Sequence, residues 1–168
     1  MFELKSLNPD AIPAALEKAE RYRLLNEPEQ AQSICEDVLT IDPEHQEALR
    51  TLILALTDRF VDARPASPDQ ARQLLPRLKS EYQRAYYAGI IAEREGIAWL
   101  RSDRPRNGEA AYVCFRDAMT HFEAAEKLRP PANDDALLRW NSCARMIMTY
   151  GDVAPIDETA RQAPQLGD

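Results

Sequence analysis

Glycine, valine and long hydrophobic stretches are all scarce in this chain of 168 residues, which contains only 5 glycines. No segment alternates apolar and polar residues for long, so the sequence gives little support for β-strands. No apolar run has the length of a membrane span or of a secretory signal, and an acidic residue, Glu3, stands near the start. We therefore expect a cytoplasmic protein that contains no sheet and does not enter a membrane.

Motifs for catalysis and for cofactor binding are also missing. The sequence has no glycine-rich phosphate loop, no G-x-S-x-G and no H-E-x-x-H. His45 and His121 have no metal-ligand partner one helical turn further on, and the 3 cysteines match no zinc spacing. We expect no metal, no cofactor and no enzymatic activity. An enzyme would instead show a deep pocket with convergent polar groups.

The residues that are abundant indicate a helical domain with an acidic surface. The chain is 45% hydrophobic and 29% charged, and alanine, leucine, glutamate and arginine, which favour helices, dominate it. Its length fits one domain. The formal net charge of -7 disfavours nucleic acids and anionic membranes as partners, because both are negatively charged. A protein or peptide is therefore the expected partner.

Prolines and capping residues divide the chain into amphipathic segments. Ser67 and Gln70 have the spacing of a capping box, and Pro76 is expected to kink or end the helix that contains it. The predicted helices cover about 9–26, 28–41, 44–61, 68–78, 81–101, 109–128 and 133–150. We expect one domain over 1–151 and a flexible tail over 152–168, which is rich in proline and acidic residues.

Two segments of the chain repeat one spacing of small, bulky and small residues that ends in a proline. The two sets lie 87 residues apart and consist of Ala31, Cys35, Val38 and Pro43, and of Ala118, Phe122, Ala125 and Pro130. This spacing resembles the second helix and the closing proline of the tetratricopeptide repeat. Ala15, Ala19 and Tyr22 fall at the bulky, small and aromatic positions of its first helix, although alanine departs from the family at the first of them.

The resemblance implies an all-α fold, a right-handed solenoid of about three helical pairs with a C-terminal capping helix. One pair cannot bury its apolar face alone, so successive pairs stack to build a continuous core. The match covers 11–61 and 109–145. The offset of 87 residues between the two sets exceeds two family periods, which total about 68 residues. A generic helical bundle remains the alternative for the segment between them.

In this family the first helices of each pair line a concave groove that holds a peptide or a partner helix. Transferred by position, the resemblance implies a groove lined by Glu20, Arg23, Glu47, Arg50, Leu54, Asp58, Tyr86, Ile90 and Arg94. This mixture of charged and apolar residues suits a helix or an extended peptide. The alternative interpretation is an ordinary solvated helix face, whose leucines pack inward.

The resemblance implies a non-catalytic adaptor or scaffold, and two other functions stay open. A dedicated chaperone for a secreted or assembling subunit is compatible with the length and charge. Members that grip the C-terminal carboxylates of chaperones use lysine and asparagine at positions that hold Leu16 and Glu20 here, so that function is not expected. Self-association through terminal helices is the third option, because the last predicted helix carries Leu138, Trp140 and Met148.

Overall fold

A computed structural model describes residues 2–155, and every regular element in that range is helical. The seven α-helices are α1 (Ile12–Leu24), α2 (Pro28–Ile41), α3 (Gln46–Asp58), α4 (Pro68–Arg72), α5 (Glu81–Leu100), α6 (Asn107–Leu128) and α7 (Asp135–Thr149). Short 3-10 turns cover Pro9–Ala11, Arg59–Val61 and Leu75–Arg77. The prediction of an all-helical fold is confirmed over the described residues. None of the helices described is both long and apolar enough to span a membrane.

The helices begin where the sequence provides caps. Pro28 opens α2, where its missing N–H leaves no donor unsatisfied. At α4 the Ser67 hydroxyl accepts from the backbone N–H of Asp69, and the Gln70 side chain accepts from the N–H of Ser67. This reciprocal pair is the predicted capping box. His45 caps α3, since its Nδ1 accepts from the backbone N–H of Ala48 at 3.3 Å.

The helix that we expected over 68–78 is much shorter. It ends at Arg72, and Pro76 lies in the following 3-10 turn rather than in an α-helix. The early end follows from proline, which lacks an N–H and clashes with the preceding turn. Ala71 and Leu78 are nevertheless buried, so the segment still closes the core beside α3 and α5.

The odd-numbered helices lie side by side in chain order. Helix α1 packs on α3, α3 on α5 and α5 on α7, while α2, α4 and α6 each pack between two successive members of that series. At the N-terminal ends of α3 and α5, the Gln46 side chain accepts a hydrogen bond from the backbone N–H of Lys79, which lies just before α5. At the C-terminal ends of α1 and α3, Arg23 of α1 donates a hydrogen bond to Asp58 of α3. Helices α1 and α3 thus meet at their C-terminal ends, and α3 and α5 meet at their N-terminal ends.

The predicted repeat positions form the centre of two hydrophobic clusters. The first cluster lies among α1 to α4, and the second lies among α5 to α7. The residues that the sequence placed at packing positions have no exposed surface: Ala31, Cys35, Val38, Ala118, Phe122 and Ala125. Small side chains at these positions allow the helices to approach closely.

The packed part of the chain extends past Gly151, where we placed the boundary of the domain. Val153 is 3% exposed and belongs to the second cluster. The backbone carbonyl of Asp152 lies directly against Gly108 in the first turn of α6, where a larger residue would collide with it. The remainder of the predicted tail, from residue 156 onward, lies outside the described residues.

Candidate functional site

Ion pairs connect α1, α3 and α5 at one end of the odd-numbered helices. The Nε of Arg23 donates to Oδ2 of Asp58 at 2.8 Å, and Nη1 of Arg94 lies 3.8 Å from Oδ1 of the same carboxylate. The side chains of Arg23 and Asp58 are 18% and 19% exposed. Three of the predicted groove residues, from three different helices, therefore meet at a single half-buried carboxylate.

A buried carboxylate on α5 joins this surface to α7. Glu93 is 3% exposed, and its Oε2 accepts a hydrogen bond from Nη1 of Arg139 at 3.1 Å. Burial raises the pKa of Glu93, while the positive charges of Arg139 and Arg94 oppose that rise. A buried ion pair adds little to stability because desolvation of the two charges offsets their attraction. Titratable groups that are perturbed in this way concentrate at functional sites.

Three tyrosines of α5 pack against one another, and one of them, Tyr86, lies beside this ion pair. The rings of Tyr82 and Tyr86 stack with centroids 5.7 Å apart, and Tyr87 meets Tyr86 edge to face at 5.4 Å. The hydroxyl of Tyr82 donates to Oδ1 of Asn133 at 3.2 Å. Burial raises the pKa of Tyr86, and Arg139 beside its hydroxyl opposes the rise. The tyrosines thus form a half-buried aromatic surface with hydroxyl groups at its edge.

Helix α3 provides the other wall of this surface. Burial raises the pKa of Tyr87, and the positive charges of Arg50 and, more weakly, Arg23 oppose the rise. Leu54 is half-buried and packs against the second hydrophobic cluster. Arg50, Leu54 and Asp58 are spaced one helical turn apart, so they share the face of α3 on which Asp58 lies near Arg94 of α5. We call the surface formed by Arg23, Arg50, Leu54, Asp58, Tyr86, Tyr87, Arg94 and Arg139 the groove.

Not every predicted residue belongs to the groove. Ile90 is 2% exposed in the second core cluster and has no surface for a partner, so its predicted place in the groove is wrong. Leu16 is also buried, at 2%. For these two residues the alternative interpretation, an apolar residue that packs inward, is the right one. Glu20 and Glu47 are exposed and form no ion pair within residues 2–155.

Sequence reasoning missed Tyr87 and Arg139 as members of the groove, and it missed the contact of Tyr82 with Asn133 beside them. Arg139 lies 46 residues after Glu93, and Asn133 lies 51 residues after Tyr82. No local spacing connects residues so far apart.

One cleft shares residues with the groove, and a second cleft lies beside α5. A cleft of about 240 Å³ lies between Arg23, Arg94 and Arg101, and exposed Leu24 and Val61 form its rim. The larger cleft, of about 440 Å³, lies between the 59–68 segment and the C-terminal half of α5. In residues 2–155, no group of three or more histidine, cysteine, aspartate or glutamate side chains is arranged to hold a metal ion.

Comparison with protein-family models, with curated proteins and with solved structures found no match to this chain. The groove is therefore interpreted from its own geometry and chemistry.

Proposed function

We propose that this chain is a non-catalytic, tetratricopeptide-like helical repeat protein that binds a segment of a partner protein in the groove. The register between the odd-numbered helices supports this proposal. The pairs Gln46–Lys79 and Arg23–Asp58 are 33 and 35 residues apart in the chain, and Asp58–Arg94 continues the series to α5. A tetratricopeptide repeat has a period of about 34 residues, so residues one repeat apart would meet in this way.

The composition of the groove also fits partner binding. Tyrosine and arginine are the residue types that most often dominate binding energy at protein interfaces. Tyr86 and Tyr87 are half-buried, with rings ordered by their neighbours, so they lose little conformational freedom when a partner docks. Leu54 packs against the same hydrophobic cluster as these tyrosines and adds an apolar surface to the groove.

An affinity purification with a matched pair of variants tests this function. Arg50→Glu reverses a charge in the groove, and Arg116→Glu reverses an exposed charge on α6. We expect a specific protein to be retained by the wild type and by Arg116→Glu but lost from Arg50→Glu. Retention by all three proteins would show that binding occurs on another face. An unstable retained protein would identify the chain as a dedicated chaperone rather than a scaffold.

Self-association is the second candidate function, and the outer face of α7 favours it. Leu138 and Met148 are 61% and 76% exposed, which is unusual for the closing helix of a helical repeat array. If the chain self-associates, the molar mass measured by light scattering should rise with protein concentration. The Leu138→Glu variant should keep the mass of a monomer at the same concentrations. A mass equal to 19.1 kDa at every concentration would exclude this function.

A further inference from the structure

The groove contains more hydrogen-bond donors than acceptors. An arginine has five N–H donors and no acceptor, whereas a carboxylate only accepts. The four groove arginines, Arg23, Arg50, Arg94 and Arg139, share two carboxylates. Asp58 is already engaged by Arg23, and Glu93 by Arg139. Most of the remaining donors therefore have no acceptor from the protein.

Arg50 and Arg94 hold the unused donors. Arg50 is half-buried and forms no ion pair in residues 2–155. Arg94 lies 3.8 Å from Asp58, which is longer than a hydrogen bond, and its buried Nε has no acceptor. Its side chain is 34% exposed, so the guanidinium can be reached from outside. A guanidinium that is partly desolvated and whose donors lack a hydrogen-bond acceptor is a strong site for a carboxylate.

We propose that the groove takes an acidic segment of the partner, whose aspartate or glutamate side chains pair with Arg50 and Arg94. Apolar side chains of the same segment would lie on Leu54 and Tyr87. This inference rests on the proposed function and names the chemistry of the partner. This contact differs from the grip on a C-terminal carboxylate that some tetratricopeptide proteins use. The two positions responsible for that grip hold Leu16, which is buried, and Glu20, which is acidic.

The charge of the rest of the chain makes this chemistry selective. The formal net charge is -7, so most of the surface repels an acidic segment. Glu20 and Glu47 are exposed near the same helices and would repel it from their side. The acidic residues of the segment are therefore directed to the arginines between α3 and α5. Repulsion elsewhere together with attraction in the groove gives specificity.

A selection of short random peptides displayed on phage, made against the full chain, tests the proposal. Selected peptides are then synthesised, together with copies in which each aspartate and glutamate is replaced by its amide. Fluorescence polarisation measures the binding of both sets to the wild type, Arg50→Glu and Arg116→Glu. If Arg50→Glu lowers the melting temperature, Arg50→Gln takes its place, because it removes the charge without reversing it.

We expect the selected peptides to be richer in aspartate and glutamate than the starting library. Arg50→Glu should weaken their binding at least tenfold, or about 1.4 kcal/mol, and Arg116→Glu should change it less than twofold. An unenriched pool, an empty selection, or acidic peptides that bind Arg50→Glu normally would overturn the proposal. Neutral peptides that lose binding in Leu54→Glu would preserve the groove as an interaction site and reject only its acidic partner.

Discussion

The ring of Phe122 lies directly over Gly89, and a Cβ at Gly89 would lie 2.5 Å from Cε1 of that ring. Both residues are buried, so α5 and α6 approach each other closely at this point. The same ring contacts Tyr86 of the groove, with centroids 6.0 Å apart. The packing of the second cluster therefore also positions an aromatic residue of the candidate site.

Replacing Gly89 with alanine should destabilise the protein. An added methyl group must displace the Phe122 ring, which is enclosed by the core. Overpacking of this kind costs about 1–3 kcal/mol, and the better helix propensity of alanine returns roughly 1 kcal/mol or less. Urea unfolding measures the net loss. Gly151→Ala, with no atom within 4 Å of the new Cβ, is the control. In a Phe122→Leu background the loss caused by Gly89→Ala should be smaller than in the wild type, and fully additive losses would argue against the contact.

Replacing Ala132 with glycine should stabilise the protein, unlike the change at Gly89. Ala132 has a φ of 61°, in the left-handed region that costs an L-residue about 1–2 kcal/mol. Glycine removes this strain but increases the entropy of the unfolded chain, so we expect a gain of up to about 1 kcal/mol. Thermal unfolding would detect it as a higher melting temperature. Ala124→Gly, at an exposed site within α6, should lower the melting temperature instead. Equal effects of both changes would contradict this interpretation.

The local signals of the sequence predicted the helices well, because caps and prolines act within a few residues. Ser67 and Gln70 formed their capping box, and Pro28 opened α2. The groove was harder, since the periodicity of a helix does not separate a core residue from a surface residue beside it. Ile90 therefore entered the predicted groove although it is buried. The Glu93–Arg139 pair depends on the packing of α5 against α7, which no spacing within either helix encodes.

The cysteines should be almost unreactive in the folded protein. Burial raises the pKa of Cys35, Cys114 and Cys143 to about 12 in each case. The thiolate is the nucleophile, so at pH 8 only about one thiol in ten thousand would be reactive. We expect labelling by a disulfide reagent to be at least a hundredfold slower in the native protein than in urea. A single thiol that reacts at the unfolded rate would contradict this, and Cys114, which is the most exposed, is the one to examine first.

Val153→Ala should destabilise the protein although the residue lies beyond the last helix. Val153 is 3% exposed within the second cluster, so removal of two methyl groups leaves a cavity. We expect a loss of about 1–2 kcal/mol in urea unfolding. Val113→Ala removes the same groups from a side chain that is 54% exposed and should change stability by less than about 0.5 kcal/mol. Equal small losses would place Val153 outside the folded domain.

The buried carboxyl of Glu93 should make the wild type less stable as the pH rises. Its pKa is raised from the ordinary value of 4.5, chiefly by burial. Just above pH 4.5 the folded protein therefore binds more protons than the unfolded chain, and its free energy of unfolding falls as the pH increases. Glu93→Gln resembles the protonated form and lacks this dependence. Urea unfolding between pH 4 and pH 7 should show the two proteins nearly equal at the acid end and the variant more stable at neutral pH. If the variant instead becomes less stable than the wild type toward neutral pH, attraction to Arg139, rather than burial, dominates the pKa of Glu93.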